Sequence, residues 1–509
     1  MIHRPHIPIE IWQHILSLSD FLAQIRLTRI SETFHHKLQI HNFYDIDPKY
    51  LKLLTNDILT HYPFLRSLNV EYNPNITNIN HLTQLTKLNA SGCCGLDDHG
   101  ISQLNLIQFN VYNNPKITNI HHMTRLAKLD AGGKCGLDDH GISQFAGGNL
   151  IELDVEDNPK ITNINHLTQL TKLNAIFDSG LDNDGISQLN LIELDVSWNP
   201  KITNINHLTQ LTKLIACGDC GLDDKGISQF ANHLVTGNLI ELDVGNNPKI
   251  TNINHLTQLA KLNASGKCGI DDSGISQPNL IELHAGNNPN ITNINHLTQL
   301  AKLDARGKCG LDNHGISQLN LIELNVYGNA KITNINHLTQ LSKLRARGNS
   351  GLDDKGISQL NLIELDASFN SKITNINHLS QLAKLDASGT CGIDNDGISQ
   401  LNLVELHVCN NPKITNINHL TQLKKLDASG NSGLDDHGIS QLNLIELDVH
   451  HNPKITNINH MTQLAKLDAS GDCGLDNDGI RQLNFIQLDV EDNPKITKHY
   501  HMTQLAPKK

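Results

Sequence analysis

Three columns of residues in this chain are of types that could do chemistry. Cys94, Cys135, Cys220, Cys268, Cys309, Cys391 and Cys473 share one position of a recurring segment, with Ser179, Ser350 and Ser432 filling the gaps. His81, His122, His166, His207, His255, His296, His337, His378, His419, His460 and His501 share a second. Thiolates and imidazoles are what zinc takes, and Cys217 with Cys220 spells a C-x-x-C. A third column pairs carboxylates, as at Asp97-Asp98 and Asp223-Asp224, which are the groups of general acid–base catalysis. Whether any of these can act together depends on how far one copy stands from the next.

The element Ile-Thr-Asn-Ile begins at Ile76, Ile117, Ile161, Ile202, Ile250, Ile291, Ile332, Ile373, Ile414 and Ile455, with a decayed copy at Ile496, and eight of the ten intervals are 41 residues. Inserts at Ala146 to Gly148 and within Phe230 to Gly237 lengthen the other two, to 44 and 48. A fixed period of this size marks a solenoid. Each unit splits into two coils, LIELDVSWNPKITNINHLTQ and LTKLIACGDCGLDDKGISQF, and each coil opens on a short alternating strand followed by turn residues. Stacked strands lie about 4.8 Å apart, so equivalent positions two coils apart are separated by about 10 Å. That exceeds the ~7 Å limit between the Cα atoms of a disulfide and is too far for rings to share an ion.

The columns therefore read as scaffolding. The cysteines supply a small half-buried polar side chain that serine can replace, and the lone C-x-x-C is half a zinc site. The histidines are expected on the convex surface, and the aspartates as caps of a following short helix. No catalytic residue, metal or cofactor is assigned. A fourth column, Asn73, Asn114, Asn158, Asn199, Asn247, Asn288, Asn329, Asn370, Asn411, Asn452 and Asn493, is expected to form a structural ladder, each amide bonding the backbone of its own turn and of its neighbour. Glu193 beside Lys213, Glu241 beside Lys261 and Glu282 beside Lys302 predict a self-paired charge ladder along the strands.

The pattern L-x-x-L-x-L-x-x-N from residue 65 to about 505 resembles the leucine-rich repeat family. The first coil is similar to the internalin type, and the second, with Gly-Leu-Asp-Asp-x-Gly-Ile, to the cysteine-containing type of F-box proteins. The resemblance implies an α/β fold: a leucine-rich repeat solenoid of about 21 coils, with a curved parallel sheet on the concave side and short helical or 3-10 turns on the convex side.

One stretch does not repeat. Residues 7 to 38, IPIEIWQHILSLSDFLAQIRLTRISETFHHKL, place Pro8, Glu10, Ile11, Ile15, Leu16, Leu22, Leu27, Ser31 and Phe34 in an order that resembles an F-box, one or two residues short between Leu18 and Leu22. The resemblance implies a small all-α domain over 1–45, docking to the Skp-type linker of a cullin ubiquitin ligase while the repeats hold a substrate protein. Residues 46–64 read as a linker and an amphipathic capping helix that seats on Leu65 and Leu68, and 65–509 as the solenoid. The alternative is a helical cap that only shields the first coil.

Because the units are nearly identical, their differences are legible. The two residues before each ladder asparagine vary most, and Tyr72, Tyr112, Trp198, Tyr327 and Phe369 are the candidates for a substrate-binding surface. Drift after duplication would also leave such sites variable. A net charge of −12 with scattered Lys and Arg gives no basic stripe for a nucleic acid. No apolar run approaches the ~18 residues of a membrane span, and the N-terminus lacks the unbroken apolar core of a signal peptide. The expectation is an intracellular protein, cytoplasmic or nuclear, with its ten cysteines reduced.

Overall fold

Each coil opens with three extended residues of which only the middle one points inward. In Glu193–Asp195 and Lys213–Ile215 the central leucine is buried and its neighbours are half-exposed, as strand pleating requires. The rest of the coil curls so that Leu191, Val196, Ile202, Ile205 and Leu208 join it, followed by Leu211, Ala216, Leu222 and Ile227 of the next coil, all of them buried. A single apolar filling thus runs through successive layers, and each layer depends on its neighbours.

A computed structural model describes residues 9–18, 21–31, 34, 37–143, 148–228 and 239–497. The chain divides into two compact units, Met1–Ile250 and Thr251–Lys509. Among the described residues the first unit holds ten strands, from β1 (Asn42–Phe43) and β2 (Ser67–Asn69) through β5 (Lys128–Asp130), β6 (Glu152–Asp154), β7 (Lys172–Asn174) and β8 (Glu193–Asp195) to β10 (Glu241–Asp243). The second holds twelve, β11 (Lys261–Asn263) to β22 (Gln487–Asp489). Within each unit successive strands pair in parallel and in register, leucine facing leucine, as Leu173 faces Leu194 and Leu426 faces Leu447. Opposite the strands, several coils return through a single 3-10 turn, for example Asp184–Ile186 and Lys355–Ile357.

The N-terminal segment differs from expectation in two respects. Helices α1 (Ile9–Leu18) and α2 (Phe21–Thr28) pack together, but the segment is not purely helical, because β1 adds to β2 as a parallel edge strand. The capping helix is broken in two, α3 (Pro48–Leu51) and α4 (Asn56–Thr60). Pro48 and the Asp47 cap start the first, and Thr55, accepting from the Ile58 amide at 3.3 Å, starts the second. The first ladder asparagine joins this region to the repeats: Asn73 Nδ2 donates to the carbonyls of Leu51 at 2.6 Å and Leu54 at 2.9 Å. Gln13 of α1 bonds both the carbonyl and the amide of Gln39, at 2.7 and 2.8 Å, and Trp12 lies 5.1 Å from the Phe34 ring.

Candidate interaction site

The repeated polar side chains are spent on holding coils together. Asn199 Nδ2 donates back to the Ala175 carbonyl at 2.9 Å, while its Oδ1 accepts from the Lys201 amide at 2.9 Å. The same pair of bonds recurs at Asn370, with Ala346 and Lys372. The cysteines lie beneath this ladder. Cys94 Sγ donates to the Ala90 carbonyl at 3.1 Å, and Cys135 Sγ accepts from the Leu137 amide at 3.4 Å, as Ser179 Oγ does from the Leu181 amide at the same distance. That shared acceptor role explains why serine can stand in. None of the ten cysteines is in a disulfide, and burial pushes Cys94, Cys135, Cys220, Cys309 and Cys391 up to about 11, far from the reactive thiolate.

The acidic pairs divide their work. The first member caps a turn, Asp223 Oδ1 accepting from the Gly226 amide at 2.9 Å. The second reaches forward one coil, where Asp98 accepts from both the amide and the hydroxyl of Thr118, at 2.7 and 2.6 Å. Asn183 holds Thr203 in the same place, its Oδ1 accepting from the amide and its Nδ2 donating to the hydroxyl, both at 2.8 Å, so Asp and Asn interchange there. His207, His337, His378 and His419 are exposed, as expected for the column, but each Nε2 lies 3.0 Å from an isoleucine carbonyl of the preceding coil. A carbonyl only accepts, so Nε2 carries the proton and the column is another staple.

Within each unit the variable residues sit along a rim, where the strand gives way to the turn. The residue just before each ladder asparagine is held with φ between 52° and 60° at Tyr72, Asp157, Trp198, Asn287, Phe369 and His451. A bulky residue in that left-handed region costs roughly 1 to 3 kcal/mol. Polar residues there regain a bond, Asn287 Oδ1 accepting from the Lys308 amide at 3.1 Å and Asn410 Oδ1 from the Asn431 amide at 2.8 Å. The indole and phenyl rings of Trp198 and Phe369 have no acceptor to offer. They lean over the next coil, where a methyl group on Gly218 or Gly389 would collide with them.

The five candidates therefore fall on two positions. Tyr72, Trp198 and Phe369 hold the left-handed one and Tyr112 and Tyr327 precede it; all but the half-buried Tyr112 are 46 to 59% exposed. Sequence reasoning missed Phe177, which takes the left-handed position in a second coil with φ 56° and 42% exposure, where Gly92, Gly133, Gly218 and Gly266 stand in other copies. Its signal was the break AIFDSG among copies reading Ala-x-Gly. Also missed was a row of exposed isoleucines ahead of the strands, Ile281, Ile322 and Ile363 among them, 45 to 53% exposed.

Between rim and row lies the strand face, where the charge ladder forms: Lys128 to Glu152 at 2.7 Å, Lys213 to Glu241 at 3.0 Å and Lys466 to Glu446 at 2.8 Å. Glu282 departs from it and binds His284 at 2.9 Å. The third strand position brings like charges into register in both units, Asp366 with Asp386 and Asp427 with Asp448 in the second. Asp130 lies in register with Asp154, and burial, then Asp154, pushes its carboxyl up to about 6. Burial also raises Asp154 and Asp195. In the second unit histidines take two of these positions, His284 and His407. His407 lies 2.7 Å from Glu405 and 3.5 Å from Asp427; the Asp427 bond chiefly raises it, and its presence overcomes burial to hold Asp427 below its ordinary value. Further along, Asp448, His450 and Asp468 bring one ligand atom each within 4.8 Å of one another, the one cluster among the described residues with the donor set of a cation site. In-register pairing of Asp448 with Asp468 makes it, which the column-by-column distance argument had no way to detect.

On the N-terminal segment the F-box-like residues scatter. Ile11 is 51% exposed, Leu16 is buried at 1% in the segment's own packing, and Leu27 and Phe34 are half-buried. Pro8 lies outside the described residues, as do the side chains of Glu10, Ile15 and Leu22. Among the described residues no helix is long and apolar enough to cross a membrane.

No model of a known protein family matches the chain, and no curated protein sequence does. Among solved structures it is similar to the chain in the crystal structure of a TLR13–ssRNA13 complex, with 20% identity over 85% of this chain and 72% of that one and a TM-score of 0.55. It also aligns with a leucine-rich repeat protein of Leptospira interrogans, at 18% identity over 92% of this chain and 98% of that one with a TM-score of 0.34. An internalin of Listeria monocytogenes gives 21% identity over 60% and 83% with a TM-score of 0.33. The fold is that of a leucine-rich-repeat solenoid.

Proposed function

We propose that this chain is a protein-binding scaffold whose rim holds a partner, and that its N-terminal helices dock it to a Skp-type linker, making it the substrate adaptor of a cullin ubiquitin ligase. The observation that carries the binding role is the rim itself: exposed Tyr72, Trp198, Tyr327 and Phe369, on a backbone whose other polar positions are bonded coil to coil. Large aromatics on a rigid support are the usual anchors of protein recognition. Such an adaptor does no chemistry; it raises the concentration of its cargo near a transferase bound elsewhere. A nucleic acid fits poorly, since the net charge is −12 and Asp130, Asp154 and Asp195 line the strand face. Ten cysteines with no disulfide among them agree with an intracellular setting.

The docking role rests on the F-box-like order of residues and on Ile11 and Ile30, 51 and 64% exposed on the helical segment. A second reading is favoured by the pairing of β1 with β2 and the bonds of Asn73 into the same region: the segment only covers the edge of the first coil. The separating experiment mixes the purified full chain with a Skp-type linker protein, with Ile11→Asp as the control. Leu16 is unsuitable because a buried charge there would unfold the segment. Binding that the control abolishes supports the adaptor, and its absence in both leaves a scaffold without a ligase link.

A further inference from the structure

The rim carries two aromatic groups, and the chain itself has filled one of them. In the second unit the Arg347 guanidinium lies 5.7 Å from the Tyr327 ring centroid and 5.2 Å from that of Phe369. A planar cation is held between two rings on the coils before and after its own, the geometry in which the face of a π system attracts a guanidinium. In the first unit Phe177 and Trp198 hold the left-handed rim position of adjacent coils, the Phe177 amide donating to the Ser197 carbonyl at 3.0 Å. The residues at the place of Arg347 in the neighbouring coils are Ile176 and Cys217. Among the described residues no cation of the chain lies over either ring; Lys201, three residues past Trp198, donates to the Ser179 carbonyl at 3.0 Å.

The charges around this pair differ from those of most other copies. The residue after the left-handed position of the second coil is Lys134, Lys267 or Lys308 in three copies, but Asp178 and Asp219 beside Phe177 and Trp198, with Asp472 the one other acid in the column. Both aspartates are exposed, as is Asp157 one coil earlier, with Glu156 half-buried beside it. Burial, then Asp154 and Asp157, raises the Glu156 carboxyl, the mark of acids crowded without a counter-charge. Two strained, exposed rings and four carboxylates thus share one stretch of rim.

We propose that this stretch receives an arginine-bearing segment of a partner protein, its guanidinium stacking on Trp198 or Phe177 as Arg347 stacks on Tyr327 and Phe369, with Glu156, Asp157, Asp178 and Asp219 supplying the charge. The proposal deepens the protein-binding reading and rests on it. Two substitutions return the rim to residues that other copies carry at the same positions, and so leave the fold intact: Phe177→Gly, as at Gly218, and Trp198→Asn, as at Asn287.

The test titrates the full chain into a fluorescently labelled peptide of alternating glycine and arginine, with a citrulline peptide as the uncharged isostere. The expected result is saturable binding of the arginine peptide, weakened about tenfold or more by either substitution, and none of the citrulline peptide. Equal binding to wild type and variants would assign the peptide to diffuse charge and overturn the proposal, as would binding of the citrulline peptide or no binding at all. A protein partner that binds the full chain and ignores both substitutions would also overturn it, while leaving the scaffold reading in place.

Discussion

The rim at Phe177 and Trp198 and the rim at Tyr327 and Phe369 are built on the same backbone and are similarly exposed, yet only the second has a cation of the chain, Arg347, lying over its rings. On the strand faces, Asp130 and Asp154 come into register in the first unit with no histidine beside them, whereas His284 and His407 of the second each contact two acids. A scaffold of near-identical coils can therefore hold one surface ready for a cation and another already neutralised, with a handful of substitutions and no change of fold.

That contrast requires the underlying ladder to be equally strong in both units. Asn199→Ala and Asn370→Ala each remove bonds to a buried carbonyl and to a turn amide, and each is expected to lower local stability by about 3 kcal/mol. Hydrogen exchange of the flanking coils measures it. A large effect in one unit and none in the other would show that the two backbones are not equivalent.

Next in size is Asp130→Asn. Its carboxyl rises from 3.8 to about 6 on folding, so the unfolded chain gives up the proton first, and stability falls as pH rises from about 4 to 6. Removing the acid should gain on the order of 2 kcal/mol at pH 7 and little at pH 4. The raised histidines lose stability in the same direction, over a higher pH range. His407 is raised above 6.5 in the folded state, so its contribution is complete below 6.5 and is lost as pH rises through the folded value. His407→Asn should cost about 1 kcal/mol at pH 6 and nothing at pH 9, read by urea denaturation at the two pH values.

The smallest effect is expected from Arg347→Ala, less than about 1 kcal/mol for an exposed cation over rings. Its value lies in binding: uncovering Tyr327 and Phe369 should give the chain a second, weaker site for the arginine peptide, seen as a doubled stoichiometry by calorimetry. An unchanged stoichiometry would mean that rings alone, without the acids of the first unit, do not suffice.

The solenoid, the parallel strands and the inward leucines were legible in the sequence because each follows from a period and an alternation. So was the division between repeated and variable positions. The left-handed backbone at Trp198 and Phe369 was not, since most copies place there a residue that tolerates it, Asn or Asp, and the aromatics read as ordinary exposed rings. Phe177 escaped because attention to the residues before the ladder asparagine leaves out the second coils. The histidine column read as surface, which His207 and His337 are, but its carbonyl partner belongs to the preceding coil, a contact that no local pattern encodes. The helix of residues 48 to 64 broke at Thr55, whose capping bond to Ile58 outweighs the apolar spacing.

The central claim is that recognition resides where the copies disagree and that the repeated polar residues are spent on structure. Hydrogen exchange of the full chain with and without the arginine peptide tests it most directly. Protection confined to segments 155–158, 176–179 and 197–200 is the predicted result. Protection centred on the histidine turns around His207 and His337, with the rim unchanged, would contradict it.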